Sequence, residues 1–412
     1  MKMTGNRYDW ILFFLVALLV FGSIGNGAQP VRLFILAISP FMLTDTMRGA
    51  HKGVYYYRFE CIFLLFWFLW SVAFFFKSVE EIESLKHVIY LFVHILGFLE
   101  ILWAARRAHT PQESIKYGWL VLILLSIPVA VYEFVTDFHL TMSVQDTGST
   151  LYVNGVHIER PFASVTFENL NSYNTVLCWA LPSLFMCNLY PRNKFNKVLG
   201  FLLMGITALI IIANASRGAI LCMVLMLATY VYAYYKTGRN RVLLLTVLFV
   251  GIGTLVYFFG ELFVLILERF SDQGMSDDGR AENIVMGIRA FLDSYGLGIG
   301  IGNYGPIMGD VYRVEFAAPH NLLLEVLVCF GLFIAIGFVG MFVHIFRICL
   351  RKGTQKNRSM LIFCAAALVF AGIIDSNYLM KATTWMFIAS VYIYLDPQYN
   401  SERKAIDNDR FL

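Results

Sequence analysis

Long apolar runs separated by short polar punctuation extend over almost the whole of the 412-residue chain. A helix needs roughly 20 apolar residues to cross a bilayer, so the runs predict about 12 transmembrane helices, near 8–24, 30–45, 60–76, 87–105, 118–136, 173–190, 198–214, 218–235, 242–266, 321–346, 359–374 and 383–395. The fold class implied is an all-α polytopic integral membrane protein, a single transmembrane domain over residues 1–412. The pattern is broken at 137–172, at 267–319 between the ninth and tenth runs, and by a polar tail at 396–412 that reads as disordered. In the first break Tyr152 to Arg160 reads as a short hairpin turning at Asn154-Gly155. In the second, Ser276-Asp-Asp-Gly-Arg280 is a plausible helix start. Ile284, Val285, Ile288, Phe291, Leu292 and Tyr295 then recur at helical spacing, the mark of an amphipathic helix lying on the protein or on the membrane surface. The glycines alternating through Gly296-Leu-Gly-Ile-Gly-Ile-Gly302 let the backbone turn tightly or approach a neighbour closely.

Composition supports the membrane reading: 58% of residues are hydrophobic and 15% charged, against about 45–50% and 25% in soluble domains. The net charge of +4 matters less than its distribution. With the N-terminus in the cytoplasm, 22 of the 32 Lys and Arg residues fall in short inward segments, and the long breaks face outward, which is the positive-inside pattern with both termini cytoplasmic. That orientation makes 137–172 the first outer loop, 267–319 a large outer loop and 396–412 a cytoplasmic tail. The apolar stretch Trp10–Val20 follows Lys2 and Arg7 as a signal peptide would, but no clear small-x-small cleavage site follows it, so it reads as the first span. Seven cysteines fall within or at the ends of spans without metal-ligand spacing and read as packing residues. The short inward connections leave no room for a soluble catalytic domain, and no Walker-type loop is present. No cofactor and no nucleic-acid partner is implied.

Chemistry concentrates at the outer helix ends. Arg217 stands at a junction of two spans with almost no loop between them, where a guanidinium either snorkels or holds a carboxylate, carbonyl groups or an anion. Arg280, near a helix start, combines its fork of donors with free backbone N–H groups in a way suited to phosphate. Arg289, nine residues on, points to another side and either covers the apolar face or pairs with Asp293 at i+4. His320 opens the tenth span, and imidazole is the side chain that ordinarily titrates nearest neutrality, so it is the candidate base. Glu325 and Asp375, near outer span ends, are positioned to orient or pair with these cations. Asp277, Asp278, Glu282, Asp293, Asp310 and Glu315 have no metal-ligand spacing and read as a solvated face.

Three features together resemble the O-antigen polymerase and O-antigen ligase superfamily of bacterial membrane glycosyltransferases. Arg217-Gly-Ala-Ile-Leu221 matches R-x-x-x-L at a span start, and His320-Asn321 followed by nine residues and Gly331 matches H-[NSQ]-x(9)-G. Between them lies an outer loop with Gly279-Arg280, an amphipathic helix and a Gly-x-Gly-x-Gly stretch. The resemblance covers mainly residues 160–345, and Gly331-Leu-Phe-Ile334 departs from the continuation common in ligases. It implies a metal-independent transfer of glycan from undecaprenyl diphosphate to a sugar hydroxyl, at the outer face of the bacterial cytoplasmic (inner) membrane. His320 would be the base, Arg217 and Arg280 the diphosphate ligands, and Arg289, Arg160, Asn171 and Asn321 further substrate contacts. The implied partners are the undecaprenyl-diphosphate-linked oligosaccharide, membrane lipid and a chain-length regulator. The reading favoured is a polymerase of O-antigen, capsule or exopolysaccharide, partly because Glu168-Asn-Leu-Asn-Ser-Tyr-Asn174 suits recognition of sugar hydroxyls. The alternatives are an O-antigen ligase acting on the lipid A core of lipopolysaccharide, and a flippase or transporter without chemistry. Transporters place ionisable residues near the midplane of related halves, a pattern absent from this sequence.

Overall fold

A computed structural model describes residues 5–48, 57–140, 150–153, 156–159, 161–167, 169–236, 280–314 and 318–400. Its principal helices are α1 (Arg7–Ala17), α2 (Pro30–Met47), α3 (Arg58–Phe75), α4 (Glu81–Arg107), α5 (Pro111–Thr136), α6 (Leu170–Leu189), α7 (Lys194–Ala213) and α8 (Arg217–Lys236), then α9 (Arg280–Asp293), α10 (Leu322–Lys352), α11 (Gln355–Ala371) and α12 (Ala382–Leu395). Eleven of the twelve runs expected to span coincide with helices, and the run at 242–266 lies outside the described residues. Seven of these helices are long and apolar enough to cross a membrane. The fold is that of an all-helical polytopic membrane protein. A hairpin of β1 (Thr150–Val153) and β2 (Val156–Glu159) is its sole described sheet, paired from Thr150–Glu159 to Val153–Val156. The register leaves a two-residue connection at 154–155, as the Asn-Gly signal predicts, although those two residues lie outside the described ones.

Capping chemistry sets several helix starts. Asn6 and Thr354 form capping boxes, Asn169, Asn193 and Asn321 cap α6, α7 and α10, and Pro30 and Pro111 occupy first-turn positions where no N–H is needed. The centre of the bundle is α6 and α12, buried along almost their whole lengths, with α4 beside them. Trp67, Trp119, Trp179 and Trp385 are fully buried there. Peripheral α2 and α3 instead expose Leu33, Leu36, Phe41, Ile62, Leu65 and Leu69, because lipid, unlike water, does not drive apolar side chains inward. All seven cysteines are free, and six are buried.

One expectation fails at the C-terminus. The chain from Asp396 to Asn400 is packed rather than disordered: Asp396, Tyr399 and Asn400 are buried. The Asp396 carboxylate accepts the Tyr57 hydroxyl at 2.6 Å and the Gln398 backbone N–H at 3.0 Å, so a polar sequence becomes an ordered turn. Residues 401–412 lie outside the described ones.

Candidate active site

The starts of α8 and α10, which carry Arg217 and His320, converge on one turn after α11. Leu322, two residues after His320, donates its N–H to the Gly372 carbonyl at 2.9 Å. Gly218, the neighbour of Arg217, faces Ile374 so closely that a Cβ there would lie 3.4 Å from Cγ1. Arg217 and His320, 103 positions apart, therefore each stand within two residues of a contact with the same short segment, and both are half-buried.

Asparagines build this junction. Asn214, in the tight α7–α8 turn, exchanges two bonds with the Ala163 backbone and donates to Asn174 at 2.9 Å. Asn171 accepts the Ser216 hydroxyl at 3.0 Å, and Asn169 accepts the Ser172 N–H. Amides that suggest sugar recognition in sequence thus act within the protein, locking α6 to the start of α8. Asn321 likewise accepts the Leu323 and Leu324 N–H groups at 2.9 and 3.1 Å, a helix cap directly beside His320.

The outer-loop helix α9 runs antiparallel to the first half of α10. Gly287 faces Leu324 and Val328, and Gly296 at the far end accepts the Leu332 N–H at 2.9 Å. The start of α9, with Arg280 as its first residue, is directed toward the His320 end; the Arg280 side chain lies outside the described positions. Arg289 is elsewhere: its side chain is 67% exposed and 3.9 Å from Asp293, the i+4 pair expected from spacing. Arg160 lies outside the described residues. Most of the large apolar positions of α9 do not pack on α10, although Met286 and Phe291 are partly buried against the core. Asn283, Gly287 and Ala290 are buried, while Ile284, Val285, Ile288 and Leu292 stay exposed. Of the loop carboxylates, Asp293 also accepts the Tyr312 hydroxyl at 2.6 Å, and desolvation together with that bond pushes the phenol up to about 12.

The glycine run has a specific partner. α10 breaks at Gly331, whose φ of +83° and ψ of 179° lie in a region essentially reserved for glycine. Ile299 and Gly300 donate to the Val328 and Cys329 carbonyls at 2.9 and 3.0 Å, satisfying acceptors that the break releases. Added Cβ atoms would lie 2.4 Å from Leu297 at Gly331 and 2.6 Å from the Gly331 nitrogen at Gly298, so only glycines permit this approach.

A cavity of about 610 Å³ opens at the same end of the bundle, on the other side of the 372–381 segment. Arg32, Glu83, Lys86, His87, Asp375 and Lys381 contribute its charged and titratable lining. Lys381 bridges Asp375 at 2.5 Å and Ser172 at 2.8 Å. Glu325 shapes the segment from behind by accepting the Tyr378 and Leu379 N–H groups at 2.7 and 3.2 Å. Arg32, 4% exposed, lies 3.6 Å above the Tyr90 ring and donates to the Met380 carbonyl at 2.7 Å and to His94 Nε2 at 3.2 Å. Because Arg32 can only donate, that ring nitrogen is an acceptor, so Nδ1 carries the proton toward the Leu379 carbonyl 3.2 Å away, and the imidazole is neutral. Sequence reasoning overlooked Arg32, although a guanidinium inside an apolar run is a functional signal in itself.

Residues 200–339 match the family described as O-Antigen ligase. It is also similar to the teichuronic acid biosynthesis protein TuaE of Bacillus subtilis (strain 168), at 26% identity over 319 residues that cover 73% of this chain and 63% of that protein. The chain thus spans less than two thirds of its relative's length. The matched stretch contains Arg217, Arg280, Arg289, His320, Asn321 and Gly331, whereas the cavity residues Arg32, Lys86, Asp375 and Lys381 all lie outside it.

Proposed function

We propose that the protein is a polymerase of a bacterial surface polysaccharide. It transfers glycan from undecaprenyl diphosphate to a hydroxyl of a second lipid-linked repeat unit at the outer face of the cytoplasmic membrane, with both termini inside. The observation that carries the reading is the meeting of the Arg217 and His320 helix starts on the Gly372–Ile374 turn, with the start of α9 directed to the same end. His320 takes the proton of the acceptor hydroxyl. The acceptor oxygen bonds to the anomeric carbon, the bond from that carbon to phosphate oxygen breaks, and undecaprenyl diphosphate departs with the electron pair. Arg217 and Arg280 stabilise the charge developing on it through bidentate bonds, with no demand for ATP.

A ligase is the second reading, favoured by the description of the matched family. The Asn-rich segment no longer argues against it, since those amides bond within the protein. Reconstituting the full chain in proteoliposomes with an undecaprenyl-diphosphate-linked repeat unit separates the cases. Longer lipid-linked chains mean polymerase, transfer to added lipid A core means ligase, and movement of the lipid without a new bond means a flippase.

A further inference from the structure

The outer-loop helix α9 has three faces, and packing on the protein uses only one of them. Asn283, Gly287 and Ala290 form the buried side, which meets α10 through Gly287. Glu282, Arg289 and Asp293 form a second side, polar and exposed. Ile284, Val285, Ile288 and Leu292 form the third, apolar and also exposed. With about 3.6 residues per turn, these four fall within an arc of about 100°. Tyr295, just past the helix end, adds a ring that is 93% exposed.

Two spans fix the level at which α9 sits. α10 breaks at Gly331, and the stretch from Leu332 to Lys352 extends about 32 Å at 1.5 Å per residue. That length covers a hydrocarbon core of about 30 Å without the residues before the break. α9 therefore packs on the part of α10 that stands at the membrane boundary, and the Gly296 carbonyl beyond its end accepts the N–H of Leu332, where the spanning part begins. α3 gives the same level from another side. It ends at Phe75, and Asn303, at the end of the glycine run, accepts the Val79 N–H at 3.0 Å and donates to the Lys77 carbonyl at 3.2 Å. α10 exposes Leu332, Phe333 and Ile336 as lipid-facing spans do, so acyl chains reach the level where α9 ends.

We propose that α9 is an interfacial helix, its strip of Ile284, Val285, Ile288 and Leu292 seated between the headgroups and acyl chains of the outer leaflet, with Glu282, Arg289 and Asp293 toward water. The partner is the phospholipid bilayer itself. An apolar strip beside a polar one, on a helix held at that depth, is the arrangement by which surface helices bind membranes. A tyrosine ring at the helix end suits the headgroup level, where its apolar body and polar tip are both accommodated. One consequence rests on the transferase reading: the start of α9, which carries Arg280, is held at the depth of lipid phosphates, where the diphosphate of the donor lies.

The test places nitroxide labels at Ile288→Cys and Leu292→Cys, with Arg289→Cys as the polar-side control, in the full chain in nanodiscs of phosphatidylethanolamine and phosphatidylglycerol. All three side chains are exposed, so the labels leave the packing side of α9 untouched. Six of the seven native cysteines are buried, and the native chain treated with the same label supplies the background from Cys61. Collision of each label with oxygen, which concentrates among acyl chains, is compared with collision with a water-soluble nickel chelate. Labels at 288 and 292 are expected to favour oxygen, and the label at 289 to favour nickel. Collisions dominated by nickel at all three positions overturn the proposal. Loss of both kinds of collision at 288 and 292 also overturns it, since a second copy or another segment of this chain then covers the strip. If the labels favour oxygen but the reconstituted protein forms no glycosidic bond, the transferase reading falls and the interfacial helix stands. If nickel dominates at 288 and 292 in a protein that does form glycosidic bonds, the interfacial helix falls and the transferase reading stands.

Discussion

The two ends of the helix bundle are built from similar residues to opposite effect. At one end, where α1, α5, α7 and α11 begin, the polar groups close on one another. Asp9, fully buried, accepts the N–H groups of Asn6, His109 and Thr110 at 2.9, 3.0 and 2.8 Å, and the hydroxyls of Thr110 and Ser114 at 3.1 Å. Asn357, also fully buried, reaches the Tyr394 carbonyl at 2.8 Å, and Asn196 bonds the Tyr117 hydroxyl at 2.8 Å. At the other end, where α2, α4, α6, α8, α10 and α12 begin, the ionisable groups are spread around a cavity of about 610 Å³ and beside a helix junction. Buried polarity that is fully satisfied rigidifies a fold. Charge held around open space is available to a ligand. The contrast predicts that substitutions at the closed end cost stability and those at the open end cost activity.

The largest effect belongs to the open end. His320→Ala is expected to lower glycan transfer about 10²–10⁴-fold, the usual worth of a general base, with thermal stability in detergent unchanged. Transfer near the wild-type rate in proteoliposomes would remove His320 as the base. At the closed end, Asp9→Ala leaves several buried donors without their acceptor and should destabilise the protein by about 2–4 kcal/mol. Thermal unfolding measures the loss, and the fraction that remains folded should transfer glycan at the normal specific rate. A folded Asp9→Ala protein with impaired turnover would break the division between the ends.

Gly331→Ala tests the border between scaffold and site. A methyl there would meet Leu297 at 2.4 Å and force a non-glycine residue to φ +83°. The strain is expected to cost about 2–3 kcal/mol, relieved by detachment of the 296–300 segment from α10. Protease nicking in the 296–302 run should then accelerate, and transfer should fall because α9 loses its anchor. Unchanged proteolysis alongside normal transfer would mean that the glycine contact is dispensable.

How much of this was legible in the sequence depended on how local the signal was. Helix positions followed from apolar runs, since crossing a bilayer leaves little choice of structure. The hairpin followed from Asn154-Gly155, and the bond between Arg289 and Asp293 from i+4 spacing. The partners of the glycine run were not legible, because the break at Gly331 is compensated by a segment 30 residues earlier. The bonds from Ser216 to Asn171 and from Asn214 to Asn174 were not legible either, because nothing local reveals that those residues meet. The cavity was missed for the same reason: Arg32, Lys86 and Lys381 are brought together only by packing of α2, α4 and the turn before α12. The exposed apolar side of α9 was visible in sequence, but not that its small residues would be the ones to face α10.

The smallest expected effect is the most discriminating for the junction itself. Asn321 adjoins the candidate base, and its residue type suits both a sugar contact and a helix cap. The structure shows Oδ1 accepting the Leu323 and Leu324 N–H groups. If capping is its task, any residue that caps well should serve, because serine and aspartate offer an oxygen at the same reach. Asn321→Ser is therefore expected to keep both stability and transfer, whereas Asn321→Ala loses about 1 kcal/mol and loosens the first turn of α10, which carries the Leu322 bond to Gly372. A sugar contact would behave otherwise: serine lacks the amide N–H₂, so KM for the glycan would rise at unchanged stability. Measuring KM and unfolding together for the two variants thus decides whether Asn321 belongs to the reaction or to the helix end that holds His320 in place.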